Sequence, residues 1–342
     1  MITPLPDRTC LHERHRLSHQ QIDRCLGENH SKEYLREKME RLEAVGHFLS
    51  LTDLLRANGI PFVCLKGPML SLRIYGDPSV RYSHDIDLLI GPEQLEPTLK
   101  VMTGNGFLAS QGEVWPREKI RRDLLLQNFH NVSLLNRELN YCVEIHWTLM
   151  HGTPVPQAEM AELVARNLTV TRYAGREFTV LNRELELAYL IIHGSKHAWA
   201  RLKWLVDIHD YPLDGLNREA LSAIIGCMHA WPIVTQTNYF LKKYFGRQLP
   251  FNGPEHIPAY VVKYVQTIID KPRNFGKYTA IPDIMREIRY LWALFSPFSY
   301  KVKLIRKRFL SQDDLLGHNF SFRILYYVYR PYSYIKRSLL HV

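Results

Sequence analysis

Two aspartates, Asp85 and Asp87, begin the apolar run DIDLLI at residues 85–90. Side chains alternate between the two faces of a β-strand, so both carboxylates point to one face, roughly 7 Å apart, and Ile86 points to the other. Like charges at this separation repel each other unless a divalent cation or a proton offsets them. Oxygen ligands favour a hard ion such as magnesium, which commonly binds substrate phosphates as well. The pair therefore predicts a magnesium site that receives a phosphate.

A third carboxylate, Glu144, lies in a second run typical of a strand, YCVEIHWTL at residues 141–149. Strand alternation places Glu144 on the same face as His146, which could support a metal ligand or simply satisfy a structural hydrogen bond. An acid-x-acid pattern also arises by chance among 34 acidic residues, as at residues 184–186 (ELE). That second instance stands at a predicted helix start, where acids are favoured without a metal. The strand setting and the third carboxylate favour the metal site for the aspartate pair.

The elements that must position these carboxylates follow from hydrophobic periodicity and turn residues. An amphipathic helix is predicted over residues 32–57 and ends at Asn58-Gly59. An alternation of strand and helix patterns then runs to about residue 150, with a glycine turn at Lys66-Gly67-Pro68. The later chain is mostly helical by its patterns. The predicted strands are residues 60–65, 85–90, 128–136 and 141–149, and the predicted later helices are residues 185–210, 217–246, 255–270 and 281–295.

Three blocks of the sequence, CLKGPMLSLRIYGDPSVRYSHDIDLLI, VEIHW and HGSKHAWARLKWLVDI, together resemble a known family. They are similar to a bacterial group of uncharacterised nucleotidyltransferases in the superfamily with a DNA polymerase β type of palm. The resemblance runs from about residue 50 to 210 and implies an α+β fold, with a palm of mixed sheet and flanking helices and a mainly helical C-terminal domain. The expected domains are an N-terminal arm and helix at 1–58, the palm at 59–155, and a helical domain with a basic aromatic tail at 156–342.

The resemblance implies two-metal nucleotidyl transfer from an NTP. Asp85 and Asp87 would hold magnesium against the NTP phosphates, and Glu144 would complete the site of a second ion and help to activate an acceptor hydroxyl. The acceptor stays open among a small molecule, a sugar, a peptide and an RNA, with a hydroxyl or phosphate as the group that is modified. The alternative is a non-catalytic nucleotide-binding or antitoxin-like interaction protein on the same fold.

One position departs from the superfamily pattern. A small residue, often serine, usually follows the turn glycine and contacts a phosphate, but Pro68 stands there in this chain and has no N–H. Lys66, Gly67 and Arg81 are the residues expected to bind the substrate instead. Each of the two cations has an alternative as an ordinary solvated residue.

Two histidines, His193 and His197, are spaced i to i+4 in a predicted helix. That spacing is compatible with zinc ligation, but no glutamate follows His193, so the metalloprotease signature is absent. Helix packing, or a contact with the nucleotide or acceptor across an interdomain cleft, is the favoured interpretation.

Net charge and hydropathy limit the possible partners and locations of the protein. The formal net charge of +10 indicates a polyanionic partner. No apolar run resembles a signal peptide or a membrane span, and the five scattered cysteines suggest reduced thiols, so a cytoplasmic protein is expected. The basic aromatic segments 301–309 and 330–340 could contact nucleic acid, lie on the inner face of a membrane, or remain solvated. Peripheral membrane contact is favoured over nucleic acid.

Overall fold

The computed structural model describes residues 2–28, 34–83, 85–109, 115–254, 256–271 and 281–339. The predicted starts of two helices, at residues 32 and 255, lie outside these ranges. Within them, seven strands form one sheet. The strands are β1 (Val63–Cys64), β2 (Asp85–Leu89), β3 (Phe107–Ala109), β4 (Asn131–Asn136), β5 (Tyr141–His146), β6 (Leu168–Tyr173) and β7 (Arg176–Leu181).

The sheet is mixed, as the sequence predicts. Its strand order is β3-β4-β5-β2-β1-β7-β6. Strand β2 pairs in parallel with β5, and β1 pairs in parallel with β7, whereas the other neighbours are antiparallel. The two aspartates and Glu144 therefore lie on adjacent parallel strands at the centre of the sheet.

Helices account for most of the remaining described residues, which confirms the α+β class with a helical C-terminal part. The helices are α1 (Arg8–Glu13), α2 (His19–Leu26), α3 (Tyr34–Ala57), α4 (Gly67–Tyr75), α5 (Leu95–Gly104), α6 (Lys119–Asn128), α7 (Gln157–Arg166), α8 (Arg183–Lys196), α9 (Lys203–His209), α10 (Arg218–Cys227), α11 (Trp231–Phe245), α12 (Ala259–Ile269), α13 (Ile281–Leu294), α14 (Phe298–Arg308), α15 (Gln312–Gly317) and α16 (Arg323–Leu339).

The β6–β7 hairpin extends the sheet beyond residue 155, where the helical part was expected to begin. It was missed, although its β-branched residues and the Ala174-Gly175 turn, in which both residues have positive φ, are the usual signals of a tight hairpin. Strand β7 joins the sheet through the pairing of Cys64 with Val180. The sheet thus includes residues up to Leu181, and the division of the chain into domains at residue 155 stays a prediction.

Two large hydrophobic cores, with a third small one around Leu124 and Tyr326, hold the described residues together. One lies between the sheet and helices such as α3 and α5, and includes Phe48, Leu88 and Val143. The other surrounds α8, whose residues from Leu185 to Ile192 are all buried. A helix buried on every side must be apolar all round, which explains the run LELAYLII. Helix α3 differs from expectation at its start, because its Leu35 and Met39 are exposed.

Two buried ion pairs connect the sheet region to the helices that follow it. Arg73 of α4 lies 3.0 Å from Glu186 of α8. Arg81, in the loop between α4 and β2, pairs with Asp207 of α9. Because both pairs are largely removed from water, they fix the position of α8 and α9 relative to the loop that leads into Asp85 and Asp87.

Candidate metal and nucleotide site

The register of β2 and β5 brings the predicted carboxylates together. Asp87 is the pairing partner of Glu144, and Asp85 is the partner of Cys142. Ile86 and Leu88, which alternate with the aspartates, belong to the core on the opposite face of the sheet. Asp87 is buried, with 4% of its surface exposed, whereas Asp85 and Glu144 are half-buried. Strand alternation thus presents the acids on one face, as the spacing predicts.

His146 lies between two of these carboxylates. Its Nε2 is 3.0 Å from Asp87 Oδ1 and 3.3 Å from Glu144 Oε2. Asn131 of β4 donates a hydrogen bond of 2.8 Å to the same Glu144 oxygen. The sequence allowed two roles for His146, support of a metal ligand or a structural hydrogen bond. In the structure, His146 contacts the carboxylates of both Asp87 and Glu144.

The donor set fits a divalent cation. One ligand atom from each of Asp87, Glu144 and His146 lies within 4.8 Å of the others, the one such group of three among the residues that the structure describes. The two carboxylates match the preferences of magnesium or manganese, and the imidazole matches those of zinc and other transition metals. Asp85 shares their face but lies outside this group of three. The Nδ1 atom of His146 is buried without a hydrogen-bond partner in the described structure.

Lys66 lies beside the carboxylates. Its Nζ lies 3.4 Å from Asp87 Oδ1 and 5.5 Å from the centroid of the Tyr189 ring, and its side chain is only 10% exposed. Burial alone would lower the pKa of Lys66, but the charge of Asp87 and the other acids raises it above its ordinary value. Lys66 is therefore a charged member of the site and not a solvated turn residue.

The two aspartates have pKa values displaced in opposite directions. Burial, followed by the charge of Asp87, raises the pKa of Asp85. Burial also opposes ionisation of Asp87, but Lys66 and the hydrogen bond from His146 outweigh it and lower the pKa of Asp87. The neighbours of Asp87 thus stabilise its ionised form. The ionised form of Asp85 is destabilised, and a bound cation would stabilise it.

Gly67 begins helix α4 beside the aspartates. Its φ of +63° lies in the left-handed region, which a residue with a Cβ adopts only at a cost. A Cβ at this position would lie 3.8 Å from Ser83 Oγ and 3.9 Å from the backbone oxygen of Asp85. The turn therefore places the N-terminus of α4, where backbone N–H groups favour anions, next to the acids.

Arg81 forms a buried ion pair with Asp207 of α9. Its Nε lies 2.8 Å and 3.0 Å from the two Asp207 carboxylate oxygens, its Nη2 lies 2.9 Å from one of them, and both side chains are buried. The guanidinium is thus engaged in a bidentate ion pair, while the charges of Asp85 and Asp87 also act on it.

Lys203 of α9 is a cation that sequence reasoning missed. It is buried, and no hydrogen bond or ion pair engages its ammonium within the described residues. Burial and then Arg81 lower the pKa of Lys203 to about 7, opposed by the nearby Asp85. No local pattern distinguishes Lys203 from other helix lysines, and only the packing of α9 brings it to the aspartates.

The predicted histidine pair flanks Lys66. The ring centroids of His193 and His197 are 4.8 Å apart, and both rings contact Trp204. His193 also contacts Tyr189, whose ring faces Lys66. In the described part of the chain no third metal-ligating side chain joins them. The two histidines therefore pack beside Tyr189 and Trp204 near the carboxylate site and do not form a zinc site with a third described residue.

A mixed sheet with acids on two adjacent parallel strands, preceded by a glycine turn and a short helix, is the arrangement of the nucleotidyltransferase class. A family model described as "Uncharacterised nucleotidyltransferase" matches residues 14–246, which is more than half of the chain. The chain belongs to this family. No curated protein gives a significant match to the chain. The matched span contains the whole sheet and helices α8 to α11, and it ends before α12.

Proposed function

We propose that this protein is a magnesium-dependent nucleotidyltransferase that transfers NMP from an NTP to an acceptor hydroxyl or phosphate. The observation that carries the proposal is the register of Asp87 with Glu144, with His146 between them and Lys66 beside them. Carboxylates paired across adjacent strands, in a family of nucleotidyltransferases, are suited to holding a metal ion, and a lysine beside them is suited to contacting a triphosphate.

Asp85, Asp87 and Glu144 are the residues that would hold magnesium, with two ions as the expected number. Bound magnesium would offset the charge that develops on the attacking and leaving oxygens. His146 keeps the Asp87 and Glu144 carboxylates oriented. Glu144, with its side chain 28% exposed, is accessible to an acceptor and would take the proton from its attacking group. A bond forms between the acceptor oxygen and the α-phosphorus, and the bond from the α-phosphorus to pyrophosphate breaks.

Lys66 and the N-terminus of α4 at Gly67 are the proposed contacts of the triphosphate. Both lie at the acids, and both present positive charge to an anion. Arg81, also expected to bind substrate, is proposed instead to position α9 through Asp207. Lys203, which α9 carries, would supply a second cation near Asp85 when it is protonated.

We further propose that the protein contacts a membrane surface peripherally, at the cytoplasmic face of the membrane. Helix α14 exposes Phe298, Val302 and Ile305, and α16 exposes Val328 and Ile335, at spacings that place each set on one side of its helix. Both helices are rich in lysine and arginine, which complement anionic lipid. None of the described helices combines the length and hydropathy needed to cross a bilayer.

A second candidate function is nucleotide binding without transfer. Pro68 favours it, because the first turn of α4 lacks one of the N–H groups that could contact a phosphate. The intact set of three carboxylates favours transfer.

The deciding experiment is calorimetric titration of the protein with each of the four NTPs, with and without magnesium. We expect magnesium-dependent binding of at least one NTP, and loss of that binding in the variant with Asp85→Ala and Asp87→Ala. The variant with Glu159→Ala and Glu162→Ala, two exposed acids of α7, is the matched control and should bind as the unchanged protein does. Absence of binding at millimolar nucleotide by the folded protein would overturn both candidate functions.

Release of pyrophosphate separates the two candidates. With the bound NTP as donor, a screen of acceptors should yield pyrophosphate in the unchanged protein and none in the double aspartate variant. NTP binding that never leads to pyrophosphate with any acceptor class would favour the non-catalytic function.

A further inference from the structure

A basic cavity of about 410 Å³ lies between the segment after β5, the end of α8, and helices α13, α14 and α16. This volume is in the range of pockets that bind small molecules. Glu287 is the one acidic residue of its described lining. Six lining side chains are cationic, namely Lys196, Lys303, Arg306, Lys307, Arg308 and Arg330.

Four of these cations lack an acidic partner. Arg308 pairs with Glu287 at 2.8 Å, and Arg330 lies 3.7 Å from Asp314. By contrast, Lys196, Lys303, Arg306 and Lys307 have no carboxylate within ion-pair distance in the described ranges. Positive charges gathered around a cavity repel one another, and an anion inside it would offset that repulsion.

The neutral contacts of these side chains leave room for an anion. Lys196 Nζ donates to the backbone oxygen of His151, and Lys303 Nζ lies 3.3 Å from the backbone oxygen of Pro154. Arg306 Nη2 donates to the hydroxyl of Tyr327 at 3.1 Å. A lysine ammonium has three N–H groups and a guanidinium has five, so each side chain retains donors for a phosphate.

Histidine rings connect the cavity to the carboxylates. The ring of His151, which lines the cavity, stacks on His130 with centroids 6.1 Å apart. His130 in turn lies 5.4 Å from His146, which contacts Asp87 and Glu144. Two packed ring contacts, and then the contact of His146 with the acids, therefore lie between the cavity wall and the proposed metal ligands, so the cavity is a separate site.

We infer that this cavity binds a small phosphomonoester through the phosphate group. The cavity is a second site, distinct from the proposed metal and nucleotide site. The donor's phosphates have separate contacts in Lys66 and the start of α4. Helices α13, α14 and α16 lie beyond the span that the family model matches, so most of the basic wall belongs to the part of this chain that the family pattern does not define.

The test uses ribose 5-phosphate as the probe and ribose as its neutral counterpart, titrated calorimetrically into the full-length protein with EDTA and without nucleotide. We expect ribose 5-phosphate to bind and ribose not to bind. The variant with Lys303→Met and Lys307→Met should bind the probe at least about tenfold more weakly, since it loses two charge-assisted contacts. The variant with Lys301→Met and Lys336→Met changes charge equally on α14 and α16 outside the cavity lining and should match the unchanged protein.

Parallel titrations with magnesium and the preferred NTP separate this inference from the proposed function. Both lysine variants should bind the NTP as the unchanged protein does. The inference is overturned if ribose 5-phosphate does not bind, or if both double variants weaken ribose 5-phosphate binding equally. It is also overturned if the Lys303 and Lys307 variant loses NTP binding to the same extent as probe binding, because the cavity would then bind the donor. NTP binding without probe binding leaves the proposed function intact, and probe binding without NTP binding overturns the proposed function while leaving an anion cavity.

Discussion

The guanidinium of Arg81 and the carboxylate of Asp207, 126 residues apart in the chain, form a bidentate ion pair that is buried on both sides. Arg81 immediately precedes the segment that leads into Asp85, and Asp207 lies on the helix that carries Lys203. The pair therefore fixes the helix that carries Lys203 relative to the strand that carries Asp85 and Asp87. No local sequence pattern identifies Lys203 as a residue of this site.

Asp207→Asn should destabilise the protein strongly. The substitution leaves the Arg81 charge buried without its counter-ion, which typically costs about 3–5 kcal/mol. Chemical denaturation measures the change in the free energy of unfolding. Asp214→Asn, at an exposed position after α9, should change it by less than about 0.5 kcal/mol. Equal losses in the two variants would contradict a special role for the pair.

His146→Ala should weaken metal binding. Removal of the imidazole frees the Asp87 and Glu144 carboxylates to rotate, and loss of a group that orients metal ligands typically costs about 10–100-fold in affinity. Titration with manganese, followed by electron paramagnetic resonance, measures the dissociation constant. His209→Ala is the control, because His209 makes a similar contact of 2.7 Å with Asp210 outside the group of metal-ligating side chains. Unchanged manganese affinity in the His146 variant would remove this residue from the site.

Gly67→Ala should reduce both stability and NTP binding. The space is sufficient, since the nearest atoms would be 3.8 Å from the new Cβ, but the left-handed backbone costs about 1–2 kcal/mol for a residue other than glycine. Relief of that strain would move the start of α4 away from Asp85. Thermal unfolding and calorimetric NTP titration measure the two effects.

Gly104→Ala is the matched control for that substitution. Gly104 ends α5 without a positive φ, and a Cβ added to it would meet open space, so alanine should be neutral or slightly stabilising there. A Gly67→Ala protein as stable and as active in binding as Gly104→Ala would show that the turn tolerates other conformations.

Anion binding in the basic cavity should weaken as the pH rises through neutrality. Burial, and then the charge of Lys307, lowers the pKa of Lys196 to about 7, so Lys196 is a cation below that pH and neutral above it. The neighbouring His151 has a pKa lowered to about 3 by burial and the surrounding lysines, among them Lys303, and stays neutral across this range. Lysine charge attracts the anion, so affinity is highest on the acid side.

Sulfate is the suitable probe for this prediction, because its charge does not change between about pH 6 and pH 8.5. Calorimetry across that range should show falling affinity for the unchanged protein and a flatter, weaker profile for Lys196→Met. Identical profiles for the two proteins would assign the pH dependence to another group.

Membrane contact should depend on the apolar stripe of α14. Vesicles that contain phosphatidylglycerol should sediment the protein, and vesicles of phosphatidylcholine alone should sediment less of it, since the surface charge contributes to binding. Val302→Asp with Ile305→Asp should abolish most of the binding. Leu168→Asp with Val170→Asp, which changes two exposed apolar residues of β6, is the control. Equal binding by both variants would exclude α14 as the contact.

The sequence by itself determined the local features of this protein. Apolar alternation placed Asp85 and Asp87 on one face of a strand and Glu144 with His146 on one face of another, because side-chain direction in a strand depends only on the strand's own backbone. The same local signals predicted the turn at Gly67 and the helix that follows it, which the structure confirms. The α+β class with a mixed sheet followed from the family resemblance, and the structure and the family match confirm it.

Only the tertiary structure decided which residues meet. The pairing of β2 with β5, the addition of the β6–β7 hairpin to the sheet, and the pairing of Arg81 with Asp207 all join segments that are distant in sequence. Lys203 and the basic cavity likewise exist as site features only after the helices pack. Such contacts depend on the burial of the apolar faces of helices and sheet and on the pairing of buried charges. Both are properties of the folded chain, and neither produces a periodic pattern in the sequence of a single segment.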